Sequence, residues 1–257
     1  MIKQLIKNVK LHSLPSLVAI YISRCCMRLF GWAPFNRVVL DFDNCQMNLT
    51  VAGGDGLIFW NEIASYNPYR LLFEHVGYCN FIDCGANTGA VICKLIKTNS
   101  KLRGFAFEPH PMTFSKLKSN VELNGISSAV DLFNNALGAT AGSIEMSVRG
   151  SESMAVVKNS TFGANDEDSE IVNIQQVTID DCMDSISGEV IIKIDVEGWE
   201  LEVLKGSLKT LARTSKIVVE CHTEELLESC SKLLKEQNFT LEKLPFPNGL
   251  WILNAWK

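Results

Sequence analysis

The sequence predicts an α/β domain: a mostly parallel sheet with helices on both faces and an antiparallel hairpin at its C-terminal end. Three observations carry that expectation. From about residue 78 onward apolar runs of strand length recur, and most are continuous rather than alternating, as strands covered on both faces are. Segments of helical length separate most of these runs, the arrangement that produces parallel neighbours. The last two runs have no helical pattern between them, only the turn Pro245-Phe246-Pro247-Asn248-Gly249.

Taken in order, the core begins with a strand over 78–83 and a helix over 90–97, preceded by a helix over 69–76. A strand over 104–108 leads through Pro109-His110-Pro111, which forces a loop, into a helix over 113–124; a strand over 130–134 follows. Later, 190–195 and 217–220 read as strands, followed by helices over 199–211 and 224–237 respectively. The hairpin takes 239–244 and 250–255. Two regions leave the alternation. Residues 38–40 and 47–51 read as a small β-hairpin before the main sheet, and 143–148 and 171–178 as short alternating strands. Between the latter, the Ser-, Asn-, Asp- and Gly-rich stretch 150–169 reads as a long surface loop of the kind that covers or binds substrates.

Composition narrows the class. The 257 residues are 47% hydrophobic and 21% charged, which excludes a disordered, collagen-like or simple coiled-coil chain. Net charge is −5, yet residues 1–40 hold six Lys/Arg and no Asp/Glu. Residues 41–257 therefore carry 18 basic against 29 acidic side chains, a net of −11 that disfavours nucleic acid as a partner. The expected organisation is a basic, partly amphipathic extension over 1–40 and one domain over 41–257, with its core over 78–257. In the extension Ile2, Leu5, Ile6 and Val9 recur at helical spacing with Lys3, Lys7 and Lys10 between them. The apolar stretch from Leu14 to Ile22 falls well short of the roughly 20 residues a spanning helix needs. The expected location is cytoplasmic, with residues 1–30 either packed on the domain or making peripheral contact with an anionic membrane. Nine cysteines without a Cys-x-x-Cys pair read as reduced, mostly core thiols.

The sharpest local pattern is Phe81-Ile82-Asp83-Cys84-Gly85-Ala86-Asn87-Thr88-Gly89, a strand ending in an acidic residue and a glycine turn, with a helix after it. Such a turn offers backbone N–H groups and a positive helix end at the crevice where α/β sheets bind nucleotides. Asn87 stands where Gly-x-Gly-x-x-Gly would place its second glycine, so a nicotinamide-dependent dehydrogenase is disfavoured. A carboxylate at Asp83 repels a pyrophosphate and attracts a ligand bearing an ammonium and a sulfonium. S-adenosylmethionine has both and no phosphate. The simpler alternative is a structural turn with Asp83 capping the helix.

Glu108 ends the next strand, 23 residues beyond Gly85. That is close to the spacing of about 20 at which an acidic side chain receives the ribose hydroxyls of an adenosine ligand. Asn134-Asn135-Ala136 closes the third strand and offers an amide to the adenine edge. The strand over 190–195 delivers Asp195 and Glu197 to the same sheet edge, and the next ends Val218-Val219-Glu220-Cys221-His222. Asp195, Glu197, Glu220 and His222 are thus the expected catalytic group, able to orient or deprotonate an acceptor hydroxyl. His222 has the ordinary pKa best suited to accept the proton. Cys84, His12 and His75 read as structural.

Asp83-x-Gly85-Ala86-Asn87-x-Gly89, Phe107-Glu108-Pro109, Val177-Thr178-Ile179-Asp180-Asp181 and Lys193-Ile194-Asp195-Val196-Glu197-Gly198-Trp199-Glu200 together resemble the FkbM family of S-adenosylmethionine-dependent methyltransferases. The resemblance covers roughly residues 60–245, and Lys-x-Asp-x-Glu-Gly is its most specific part. It implies a seven-stranded class I methyltransferase (Rossmann-like) fold and methyl transfer to oxygen, commonly a hydroxyl of a sugar or natural product. It also implies that Asp83, Gly85 and Asn87 line the methionine end of the cofactor, Glu108 the ribose and Asn135 the adenine side. Ala86, Gly89, Pro109 and Ala136 complete the implied cofactor set, and Asp195 stands between cofactor and acceptor.

The expected partner is a small-molecule or glycan acceptor. A metal-assisted version on the same fold places a divalent ion among Asp195, Glu197, Glu220 and His222, whose donors suit Mg or Mn, although nothing in the spacing requires one. The reading from another class is a non-catalytic S-adenosylmethionine-binding scaffold. It predicts a damaged glycine turn or a lost Glu108, and the sequence shows neither.

Overall fold

The computed structural model describes residues 37–42, 45–50, 68–148, 155–157 and 170–257, together with the isolated positions 18 and 22. The expectations for the N-terminal extension fall almost wholly outside the described residues. In chain order the elements are a hairpin, β1 (Arg37–Phe42) and β2 (Cys45–Thr50), and a short helix α1 (Arg70–Phe73). An alternating run follows: β3 (Cys79–Cys84), α2 (Ala90–Thr98), β4 (Leu102–Phe107), α3 (Pro111–Leu123) and β5 (Val130–Phe133). Next come β6 (Ala136–Leu137), β7 (Gly142–Val148), β8 (Ala155–Val157), β9 (Glu170–Val177) and α4 (Ile179–Met183). The chain ends with β10 (Val190–Ile194), α5 (Glu200–Lys205), α6 (Leu208–Leu211), β11 (Thr214–Cys221), α7 (Glu224–Glu236), β12 (Thr240–Pro245) and β13 (Trp251–Trp256).

Seven strands form the main sheet in the order β12-β13-β11-β10-β3-β4-β5, parallel except for β13. This is the α/β sheet that the alternation predicts and the seven-stranded arrangement that the family resemblance implies. All residues of β3 and β10 are buried, which is why their sequences are mostly apolar rather than alternating, with Asn80, Asp83 and Lys193 as the buried exceptions. Alternate side chains feed two cores. Phe81 and Ile191 pack with Tyr69, Ile92 and Leu117 on one face, while Ile82, Ile192 and Ile194 pack with Val203 and Leu227 on the other. The strand order reverses between β3 and β10, leaving a crevice beyond their carboxyl ends.

Three local expectations change. The C-terminal hairpin is not simply appended: β13 inserts between β11 and β12, so β12 alone takes the edge. Its half-exposed, charged sequence suits that place, whereas β13 is buried along its middle. The helix over 199–211 breaks into α5 and α6 at Gly206, where a β-carbon would stand 2.0 Å from the Gly138 carbonyl oxygen. The stretch 150–169 carries β8, which joins a second sheet ordered β6-β9-β7-β8; the rest of that stretch lies outside the described residues. Among the described residues no helix is long and apolar enough to cross a membrane.

Candidate active site

The cleft at the switch point is walled by the turn after β3, the ends of β4 and β5, and the segment after β10. Chain geometry builds the first wall. After β3 the backbone enters the left-handed region at Gly85 (φ +75°) and again at Asn87 (φ +51°), and the N–H groups of Gly85 and Ala86 donate to the Phe107 carbonyl at 3.0 and 2.9 Å. This places Gly85 and Asn87 on the cleft wall. Ala86 is buried beneath them, and Gly89 is the N-cap of α2, packed where a β-carbon would meet Leu117.

Glu108 follows β4 and is buried in the cleft wall. The Asn87 N–H donates to its Oε2 and the His110 N–H to its Oε1, both at 2.9 Å. Burial pushes its carboxyl up to about 7, and the two backbone donors offset only part of that. Each oxygen retains a lone pair for a further donor, as two vicinal ribose hydroxyls require. The amide of Asn134 clamps the adjoining loop by donating to the carbonyls of Glu108 and Pro109, and Asn135 donates to the Gln175 carbonyl. Pro109, Asn135 and Ala136 line the cleft beside Glu108.

Asp195, Glu197 and Trp199 also line the cleft. Lys193 is 1% exposed, and its strand position pairs with Asp83. Its Nζ donates to the Gly85 carbonyl at 2.7 Å and lies 3.3 Å from Asp83 Oδ1 and 3.4 Å from Asp195 Oδ2. Asp83 is therefore not a surface waiting for a cationic ligand, as the sequence suggests. It is fully buried behind the turn, where burial raises its carboxyl against the pull of Lys193, and it acts on the cleft through that lysine.

The expected catalytic group does assemble, but its protons sit elsewhere. The Tyr69 hydroxyl lies 3.1 Å from both Asp195 Oδ2 and Glu220 Oε2. Burial, then the nearby Asp195 charge, push Glu220 up to about 8. His222 Nδ1 lies 2.9 Å from Glu200 Oε1 and its Nε2 lies 3.2 Å from Glu197 Oε2. Burial lowers the His222 pKa, but these two carboxylates and Asp195 outweigh it and drive the ring up to about 11. A ring held between two carboxylates is an ion-pair partner. Asp195 and Glu197 are the carboxylates of this group that line the cleft.

Tyr69, Lys193, Trp199 and Glu200 are not among the residues the sequence singles out. Lys193 does carry a signal, a charge inside the apolar run Ile191-Ile192-Lys193-Ile194. Tyr69 carries none. Two atoms of the cleft residues are buried without a hydrogen-bond partner among the described residues: Asn87 Oδ1, an acceptor, and Trp199 Nε1, a donor. Together with Glu108 they offer the mixed set that a zwitterionic, ribose-bearing ligand such as S-adenosylmethionine needs.

Residues 83–241 match the family model described as the methyltransferase FkbM domain. The chain is 32% identical over 178 residues to the hexuronic acid methyltransferase AglP of Haloferax volcanii, covering 67% of this chain and 69% of that protein. Among solved structures, the precorrin-6y C5,15-methyltransferase of Geobacter metallireducens superposes with a TM-score of 0.47 at 14% identity, over 73% of this chain and 84% of that one. The ribosomal protein L11 methylase of Lactobacillus delbrueckii subsp. bulgaricus gives 0.45 at 12% identity, over 74% and 76%. With the family model spanning 159 of its 257 residues and carrying both the glycine turn and the Lys193–Glu200 segment, the chain belongs to the FkbM methyltransferase family.

Proposed function

We propose that this methyltransferase binds S-adenosylmethionine in the switch-point cleft and methylates a sugar hydroxyl, with a hexuronic acid as the first candidate acceptor. The observation that carries the reading is that Glu108 and Asp195 line one cleft, with Lys193 tying the glycine turn to Asp195. Glu108 receives the ribose, Asn135 and Ala136 flank the adenine, and Gly85, Asn87 and Trp199 meet the methionine end. The likeness to AglP supports the acceptor class.

S-adenosylmethionine supplies an already activated methyl group, so the chain has to provide alignment and a proton acceptor. Tyr69 has one proton for two carboxyl neighbours. The Tyr69 O–H donates to Asp195 Oδ2 or to Glu220 Oε2, tying the two carboxyls together. That contact fixes the Asp195 carboxylate and leaves its other oxygen to take the acceptor O–H.

Titration calorimetry with S-adenosylmethionine, and with NAD as control, tests the cofactor. Binding of S-adenosylmethionine alone, weakened by Glu108→Ala, is the expected result. NAD binding, or no binding by a folded sample, overturns the reading. Transfer of labelled methyl to hexuronic acids and to neutral hexoses then resolves the acceptor.

A further inference from the structure

The acceptor end of the cleft holds more negative charge than its bases neutralise. Asp83, Asp195, Glu197, Glu200 and Glu220 face only Lys193 and His222 among the described residues, and Lys193 is already shared between two of them. Within this group one oxygen each of Asp195 and Glu220 and a ring nitrogen of His222 lie within 4.8 Å of one another. Three atoms so placed share a centre at most about 2.8 Å from each. An inward shift of roughly half an ångström brings all three to the bonding distance of a divalent ion.

The imidazole is held for this geometry. His222 Nδ1 lies 2.9 Å from Glu200 Oε1 and Nε2 3.2 Å from Glu197 Oε2, so the ring is held between two carboxylates, and a cation that binds it displaces a ring proton. Glu200 is itself fully buried and fixed by the Gly198 N–H at 2.8 Å; its second oxygen has no hydrogen-bond partner among the described residues. A buried carboxylate orienting the far nitrogen of a histidine is the arrangement that prepares histidines for metal binding. Tyr69, in contact with both Asp195 and Glu220, keeps the two carboxyls at a set spacing.

We propose that Asp195, Glu220 and His222 form a divalent-cation site at the acceptor end of the cleft, with Glu197 in reach as a fourth ligand. An oxygen-rich set with one imidazole suits Mn²⁺ best and Mg²⁺ next. The site deepens the sugar O-methylation reading and its catalytic use rests on it. The cation binds the acceptor hydroxyl and lowers its pKa, and the released proton passes to water beside the partly exposed Glu197. The oxygen lone pair then forms the C–O bond while the S–CH3 bond breaks and leaves its pair on sulfur; the ion keeps its oxidation state. The ion also offsets the carboxylate of a hexuronate, since no Lys or Arg lines the cleft among the described residues.

The test uses the full chain after chelator treatment, titrated with MnCl2 and followed by electron paramagnetic resonance, with MgCl2 as competitor. One saturable Mn²⁺ per chain, with nitrogen coupling from an imidazole and displacement by Mg²⁺, is expected. Glu220→Gln and His222→Gln should each weaken Mn²⁺ binding at least about tenfold, and Glu200→Gln about 10–100-fold. The exposed Glu122→Gln should leave it unchanged. Thermal unfolding and S-adenosylmethionine binding of each variant separate a lost site from a lost fold; should a variant unfold, the nitrogen coupling in the wild type decides. A wild-type protein that binds S-adenosylmethionine but shows no saturable Mn²⁺, or binding indifferent to these substitutions, overturns the site. Failure to bind S-adenosylmethionine overturns the cofactor reading instead, with the Mn²⁺ titration still judged on its own result.

Discussion

The α-carbon of Gly85 lies so close to the main-chain carbonyl of Asp195 that a β-carbon there would stand 1.8 Å from its oxygen. The glycine turn after β3 and the segment that carries Asp195 thus meet at one backbone contact, reinforced by the Asp195 N–H donating to the Cys84 carbonyl at 3.1 Å. Gly85→Ala has to push the end of β10 away and also hold φ near +75°. The expected cost is about 3 kcal/mol or more, a fall of roughly 6–10 °C in the unfolding midpoint. Affinity for S-adenosylmethionine should fall at least tenfold. Scanning fluorimetry and calorimetry check both, and wild-type values in the variant would refute the contact.

Glu108 makes cofactor binding depend on pH. Burial holds its folded-state carboxyl at about 7, above the ordinary value of 4.5. Between those values the folded chain keeps a proton that the unfolded chain has released. Its contribution to stability is therefore full on the acid side and is lost as pH rises through 7. Ribose hydroxyls donate to the ionised form, so affinity for S-adenosylmethionine runs the opposite way. Binding should be about tenfold tighter at pH 8 than at pH 6, because the competent fraction falls by that factor. Glu108→Gln should flatten the profile; an unchanged slope in that variant would assign the pH dependence to another group.

What the sequence shows of the site is what local chain chemistry encodes. A strand, a glycine turn and a helix start are consecutive, so Gly85, Asn87 and Glu108 announce themselves by spacing, and Asp195 by its position after an apolar run. Lys193 is visible as a charge within that run, but its partners Asp83 and Gly85 follow only from the register of β10 on β3. His222 is found, but its proton affinity depends on Glu197 and Glu200, which lie more than twenty residues earlier in the chain. Tyr69 reaches Asp195 across 126 residues, a separation at which no periodicity speaks. The break between α5 and α6 has the same origin, since the obstacle at Gly206 is the backbone of Gly138.

Lys193 is the charge on which the middle of the site depends. With Asp83 fully buried and Lys193 1% exposed, Lys193→Met leaves Asp83 and Asp195 without their shared cation. Breaking a buried pair from one side costs about 3–5 kcal/mol. Asp83→Asn in the same chain removes one of the stranded charges and should restore part of that loss. Urea denaturation of both single variants and the double variant measures the coupling. Additive losses would mean that Lys193 and Asp83 do not act as a pair.

Trp199 packs on two hydrophobic clusters and also carries a buried donor without a hydrogen-bond partner among the described residues. Its ring lines the cleft and packs on the small cluster of Ala136, Met146 and Ile174, while Nε1 is buried with no partner among the described residues. An unpaired buried N–H costs about 1–3 kcal/mol, a loss that an oxygen of the bound cofactor or acceptor recovers. Trp199→Phe keeps most of the ring contact and deletes the donor. The unliganded variant should therefore unfold at or slightly above the wild-type temperature, while one binding constant weakens by about 5–20-fold. A weaker Kd for S-adenosylmethionine with an unchanged sugar KM places the N–H against the methionine carboxylate; the reverse places it against the acceptor. A variant less stable than wild type with both constants intact would make Trp199 a packing residue and leave the orphaned donor without a ligand.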